Sequence, residues 1–356
     1  MRSAFRRIEA DDPDIDYTGR IDFSDPKAPS FAYPGVSIVA SFEGSSIDVL
    51  MADSGAEDYF NLSIDSGEPQ VFRSGSGMRT FGAGRDLGPG VHTIKIFKRT
   101  ESACGTAAFG GFVLEAGEGL VPTEGLPERR IEFVGDSITC GFGDRVSTHH
   151  PDDFPFTSAN EDCSLSWGAL TAEALGARFV ATAYSGRGVF RNYDASEGGT
   201  VPELYGTIFP DRAGAAPWDT SRYVPDVLVV NLGTNDYSSL QTLDDLGPEA
   251  FDAGFSGAYR AFLAELRTYY PKAAIVCAVG PMLSDGEPAG QRSWTRIQLA
   301  VSDLVDSLRE AGDRSIRYLR LEPQTGPYGE DWHPSAATHA RMAAAAVRLI
   351  RSATGW

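Results

Sequence analysis

The sequence predicts two units in series: an all-β sandwich, then an α/β domain built on a parallel sheet. Three observations predict this. From about residue 15 to 118, short runs rich in β-branched and aromatic residues alternate with turn residues, and no helical period intervenes. From residue 130 onward, short apolar strands alternate with longer stretches of helical spacing. Between the two regions the segment AGEGLVPTEGLPERR is rich in Gly, Pro and Glu and reads as a linker. The expected boundaries are therefore 1–122 and 123–356, and a chain of 356 residues suits two domains better than one.

In the first unit the predicted strands are 36–42, 46–51, 59–64, 70–73, 91–98 and 107–114. EGS, DSGE and LGPG separate some of them and supply the backbone angles that tight turns need. In the second unit the predicted strands are 130–134, 178–182, 226–232, 274–279 and 316–319. DVLVVNL at 226–232 is a nearly continuous apolar run, the pattern of a strand covered on both faces. Helices are predicted at 164–175, 249–269, 292–310 and 335–351. Ligands of such sheets bind beyond the carboxyl ends of the strands.

Composition narrows the partners. The chain has 31 basic and 49 acidic side chains and a formal charge of −18. That surface repels phosphate backbones and anionic lipid, so neither nucleic acid nor membrane is an expected partner, whereas a neutral polysaccharide remains compatible. No stretch approaches the ~20 apolar residues of a membrane helix. The early arginines of MRSAFRRIEADDPDIDY lack an apolar stretch behind them, so the expectation is a cytosolic protein or one whose export signal has been removed. The four cysteines, Cys104, Cys140, Cys163 and Cys277, are too scattered for a disulfide framework. Reduced thiols are expected, with a Cys140–Cys163 bridge as the alternative.

Three polar clusters stand out. Gly135-Asp136-Ser137 follows the first α/β strand, which delivers Ser137 to the carboxyl edge of the sheet. A helical turn starting there would aim the Ser137 N–H into the cleft, where its positive end favours developing negative charge; the same string also suits a plain helix start. Gly233-Thr234-Asn235-Asp236 follows DVLVVNL. Asn235 offers an amide donor to an oxyanion, or else a local turn contact. Asp331-Trp332-His333-Pro334 precedes the last helix and offers a base beside a carboxylate, or a helix-entry motif. Together the clusters supply a nucleophile, an oxyanion donor and a base in an order that one sheet edge can gather.

These residues resemble the SGNH/GDSL hydrolase superfamily: 135–139 its first block, 184–188 (YSGRG) its second, 233–236 its third and 331–334 its last. With a β-sandwich ahead of them, GDSITCGFGD and YSGRGVFRNY are similar more specifically to carbohydrate esterase family two. The resemblance implies a flavodoxin-like, three-layer hydrolase domain behind a jelly roll, and an acetyl esterase acting on xylan or related glycans. It implies Ser137 as nucleophile, His333 as base, and an oxyanion hole of the Ser137 and Gly186 N–H groups and the Asn235 amide, with Gly188 the alternative to Gly186. The usual acid position, three residues before the histidine, holds Glu330. Asp331 is the expected third member at the closer spacing, with Glu330 or a backbone carbonyl as alternatives.

An acetylated carbohydrate is then the expected partner, and exposed rings should hold it; Tyr193, Trp294 and Trp332 are the candidates. Thr234 and Asp236 are expected to support the loop that presents Asn235. No metal or cofactor is expected: His149 and His150, near Asp152 and Asp153, lack the spacing of a tetrahedral zinc set. His92 and His339 are expected to be structural. The competing readings are a lipase or thioesterase on the same scaffold, and a glycan-binding sandwich with a weakly active partner domain.

Overall fold

The computed structural model describes residues 5–196, 198–238, 247–286 and 289–356. Among the described residues, eleven strands form the first unit as two antiparallel sheets. One contains β1 (Phe5–Ile8), β3 (Ser30–Phe31), β5 (Ile47–Asp53), β8 (Arg79–Gly84) and β10 (Ala107–Glu115), in the order β1-β10-β5-β8 with β3 beside β10. The other contains β2 (Ile15–Thr18), β4 (Ser37–Glu43), β6 (Tyr59–Ile64), β7 (Gln70–Arg73), β9 (Val91–Lys98) and β11 (Gly119–Val121), in the order β11-β4-β9-β6-β7 with β2 beside β4. Strict alternation makes them a sandwich. Ile47, Val49 and Met51 of β5 and Ile38, Ala40 and Phe42 of β4 all point into one shared core.

The structure adds five strands to the predicted set: β1, β2, β3, β8 and β11. β8 reads RTFGAG, and its glycines mask any strand propensity. β11 lies inside the predicted linker and pairs antiparallel with β4, Gly119 opposite Glu43 and Val121 opposite Ser41. Backbone pairing overrides a Gly-rich composition there.

Among its described residues the second unit has five parallel strands: β12 (Arg129–Gly135), β13 (Ala177–Ala183), β14 (Val227–Asn231), β15 (Ala274–Ala278) and β16 (Ile316–Leu319). Their order is β13-β12-β14-β15-β16. Four long helices cover the sheet: α2 (Trp167–Ala174) and α7 (Ala336–Thr354) on one face, α5 (Pro248–Tyr269) and α6 (Ser293–Glu310) on the other. Successive β14 residues feed opposite cores: Val227 and Val229 pack with α2 and α7, Leu228 and Val230 with α5 and α6. That is why the strand reads as an unbroken apolar run. The shorter helices α1 (Ser137–Cys140), α3 (Val201–Tyr205) and α4 (Thr234–Ser238) follow strands or lie in loops. Among the described residues no helix is long and apolar enough to cross a membrane.

The chain leaves β12 toward β13 on one side and returns to β14 on the other. The loops beyond these strands therefore diverge and open a crevice at the carboxyl edge. The sandwich packs directly on this domain. Phe97 of β9 joins the core beneath α2 and α7 and stacks on Phe179, with ring centroids 6.3 Å apart. Arg20 forms a buried ion pair of 3.2 Å with Glu132 of β12.

Candidate active site

Ser137 is the first residue of α1, immediately beyond β12. Asp136 caps the helix, accepting the Ile138 N–H at 3.1 Å. Burial and the nearby Asp236 charge push the Asp136 carboxyl up to about 7. From the far end of the sheet, the turn before α7 brings His333 to Ser137: Nε2 lies 2.8 Å from Ser137 Oγ. The other ring nitrogen, Nδ1, faces the carbonyl oxygens of Asp331 at 3.0 Å and Glu330 at 3.2 Å. Carbonyls only accept, so Nδ1 carries the proton and Nε2 presents its lone pair to the serine hydroxyl. Burial pushes the His333 pKa down to about 4, against the charge of Asp331, which pulls it up. The imidazole is thus neutral and proton-accepting at neutral pH.

The expected role of Asp331 needs correction here. Its backbone carbonyl, rather than its carboxylate, meets His333 Nδ1. Asp331 has φ +45° and Trp332 φ +64°. This left-handed turn leaves the Asp331 and Glu330 carbonyls facing the imidazole. The Glu330 carboxylate is also engaged elsewhere: it accepts the N–H (2.9 Å) and Oγ–H (2.9 Å) of Thr157 and the Asn160 amide (2.6 Å). Phe142, which the sequence reading passed over, stacks on the His333 ring with centroids 4.0 Å apart. Its place just after the GDS turn was the available clue.

The loop beyond β13 supplies Gly186 and Gly188, and their environments differ. Gly186 has φ +76° and open space where a Cβ would sit. Its N–H has no partner among the described residues, while its carbonyl accepts the Tyr193 N–H at 2.8 Å. The Gly188 N–H is already spent on Asn192 at 3.2 Å, and a Cβ there would lie 1.9 Å from the Arg191 carbonyl. Gly186 therefore has the available donor and Gly188 is a packing glycine. Asn235 lies between the first and second loops: its amide donates to the Arg187 carbonyl at 2.9 Å and lies 3.4 Å from Asp136 Oδ2. Asp236 ties the second loop to the one that presents Asn235. Its carboxylate accepts the N–H groups of Val189 (3.0 Å), Phe190 (2.7 Å) and Arg191 (2.8 Å). Burial nevertheless pushes its pKa up to about 6.

The three candidate rings separate. Tyr193 is 61% exposed and Trp332 44% exposed, with the Trp332 indole N–H held by Asp152 at 2.8 Å. Trp294 is half-buried against the α5/α6 core, donates to the Leu321 carbonyl at 3.3 Å, and lies under the Arg320 guanidinium at 4.7 Å. Its contacts are those of a packing ring. All four cysteines are buried free thiols.

This arrangement can activate a serine hydroxyl and receive an oxyanion on uncharged donors. Comparison with known proteins gives it a family. Residues 17–123 match the carbohydrate esterase 2 N-terminal domain, and residues 133–341 match the GDSL-like lipase/acylhydrolase family. A solved family two carbohydrate esterase from Clostridium thermocellum, in complex with cellohexaose, is 35% identical. The match covers 96% of this chain and 99% of that one, with a TM-score of 0.85.

The chain belongs to carbohydrate esterase family two.

A family two esterase from Cellvibrio japonicus superposes with a TM-score of 0.87 at 26% identity, covering 99% of each chain. Among curated relatives, cellulase/esterase CelE of Acetivibrio thermocellus is 35% identical over 98% of this chain. The chain spans 40% of the length of CelE. An acetylxylan esterase/glucomannan deacetylase of Cellvibrio japonicus is 29% identical, over 100% of this chain and 93% of that protein.

Proposed function

We propose that this esterase removes O-acetyl groups from acetylated xylan or a related plant polysaccharide through an acetyl-enzyme intermediate. The observation that carries the reading is the 2.8 Å contact between Ser137 Oγ and His333 Nε2 at the carboxyl edge of a family two sheet. In this reading His333 takes the Ser137 proton as Oγ attacks the acetyl carbonyl. The oxyanion is received by the N–H groups of Ser137 and Gly186 and by the Asn235 amide. His333 then protonates the leaving sugar oxygen, and water activated by the same imidazole releases acetate. The Asp331 and Glu330 carbonyls hold the imidazole in the correct tautomer through both steps, and the Asp331 charge favours the imidazolium. Tyr193 and Trp332 are the exposed faces on which sugar rings stack.

The test is acetate release from acetylated xylan oligosaccharides by the wild type and Ser137→Ala, with acetyl and octanoyl p-nitrophenyl esters in parallel. The proposal expects acetate release that vanishes in the variant, and a preference for acetyl. Undiminished turnover by Ser137→Ala, or a preference for octanoyl, overturns it.

A further inference from the structure

The loop that presents Gly186 belongs to the α/β domain, yet its anchor comes from the sandwich. Glu101 lies just past β9 and is buried. Its carboxylate accepts both donors of Ser185, the residue immediately before Gly186: the N–H at 2.8 Å and the Oγ–H in a short hydrogen bond. Glu101 is itself held rigidly. Its N–H donates to Glu161 Oε2 at 3.0 Å, and buried Lys98 donates to the carbonyls of Thr100 (2.7 Å) and Glu101 (3.2 Å). Carboxylate oxygens of Glu101 and Glu161 lie within 4.8 Å of each other and of Cys140 Sγ, all buried. Burial raises the Glu101 carboxyl pKa against the two Ser185 hydrogen bonds, and burial with the neighbouring Glu101 charge raises that of Glu161 well above its usual range. The two Glu101 oxygens each take one Ser185 donor.

We propose that Glu101 is a positioning residue that aims the Gly186 N–H at the oxyanion. The inference rests on reading Gly186 as an oxyanion donor. Gly186 has φ +76° and, its chain neighbours apart, no atom within 4 Å of where its Cβ would be, so no packing holds that side of it. Hydrogen bonds must do so: Ser185 to Glu101 on one side, and the Tyr193 N–H to the Gly186 carbonyl on the other. An oxyanion donor displaced by about 1 Å loses on the order of 100-fold in rate.

The experiment measures kcat and KM for p-nitrophenyl acetate per active serine, titrated with a serine-reactive phosphonate. Affinity for methylboronic acid, which forms a tetrahedral adduct, is measured in parallel. Glu101→Gln keeps the size but removes the charge and leaves one acceptor oxygen for the two Ser185 donors. It should lower kcat between about tenfold and 100-fold, with KM within about twofold, an unchanged acid limb of the pH profile, and boronate affinity reduced in step. Glu101→Asp should lie between it and the wild type, and it decides the matter if Glu101→Gln does not fold. Ser185→Ala added to Glu101→Gln should cost nothing further, because both act on one contact. Wild-type kcat per titrated serine in Glu101→Gln or Glu101→Asp, with Gly186→Ala impaired, overturns the proposal and spares the Gly186 reading. If Gly186→Ala also keeps wild-type kcat while Asn235→Ala loses it, the Gly186 reading itself fails, and the proposal with it.

Discussion

The carbonyl oxygen of Asp331 lies 3.0 Å from Nδ1 of His333, and that main-chain contact stands where a side-chain carboxylate would stand in a conventional triad. The carbonyl holds the tautomer and leaves the Asp331 carboxylate to act on the imidazole only through space. Asp331→Asn, which tolerates the left-handed backbone of this position, should therefore lower kcat about tenfold or less, the size of a partly screened charge interaction. His333→Ala should lower it by at least about 10³-fold. Steady-state kinetics on p-nitrophenyl acetate compare the two; equal losses would restore the carboxylate as an essential third member.

The acid limb of the rate profile follows from the burial of His333. The proposed mechanism needs the neutral His333 imidazole, whose folded pKa is depressed from 6.5 to about 4. Activity is therefore retained as pH falls past 6.5 and is lost as pH falls through about 4. A pH profile of kcat/KM for the free enzyme checks this. The same profile in Asp136→Asn identifies any second limb near 7, where the Asp136 carboxyl titrates. A main acid limb at 6.5 that persists in Asp136→Asn would contradict the depressed histidine.

Asn235→Ala removes the one side-chain donor assigned to the oxyanion. The expected loss is about 10²-fold or more in kcat with little change in KM. A rise in KM at constant kcat would instead make Asn235 a ground-state contact.

Asp236→Ala strips three main-chain N–H groups, buried at Val189 and partly buried at Phe190 and Arg191, of their shared acceptor. Hydrogen bonds to a charged group contribute about 1.5–3 kcal/mol each, so a loss of at least about 3 kcal/mol is expected. Urea denaturation with an unchanged m-value would report it.

How far the sequence leads depends on whether a feature is local. The β14 run DVLVVNL and the GDS turn were legible because one stretch of chain carries the pattern and the sheet order collects the ends. β8 and β11 were not, since the ladder that makes RTFGAG or Gly119–Val121 a strand belongs to distant partners. Ser137 and His333 were nameable, but their 2.8 Å contact joins residues 196 positions apart. The Asp331 backbone shows the limit most clearly. An acid beside a histidine looks like a charge partner, and only its φ of +45° reveals that the main chain is what turns inward. Likewise Glu330, at the customary acid spacing, is drawn away by Thr157 and Asn160, which no local pattern connects to it.

The buried Arg20–Glu132 pair and the stacking of Phe97 on Phe179 bear on how this architecture is inherited. Here one half supplies a charge and a ring to the interior of the other. Excision would leave Glu132 without its counter-charge and would open the apolar floor beneath α2. The two halves are therefore expected to travel as a single cassette, with a tolerated breakpoint outside the pair rather than between its members.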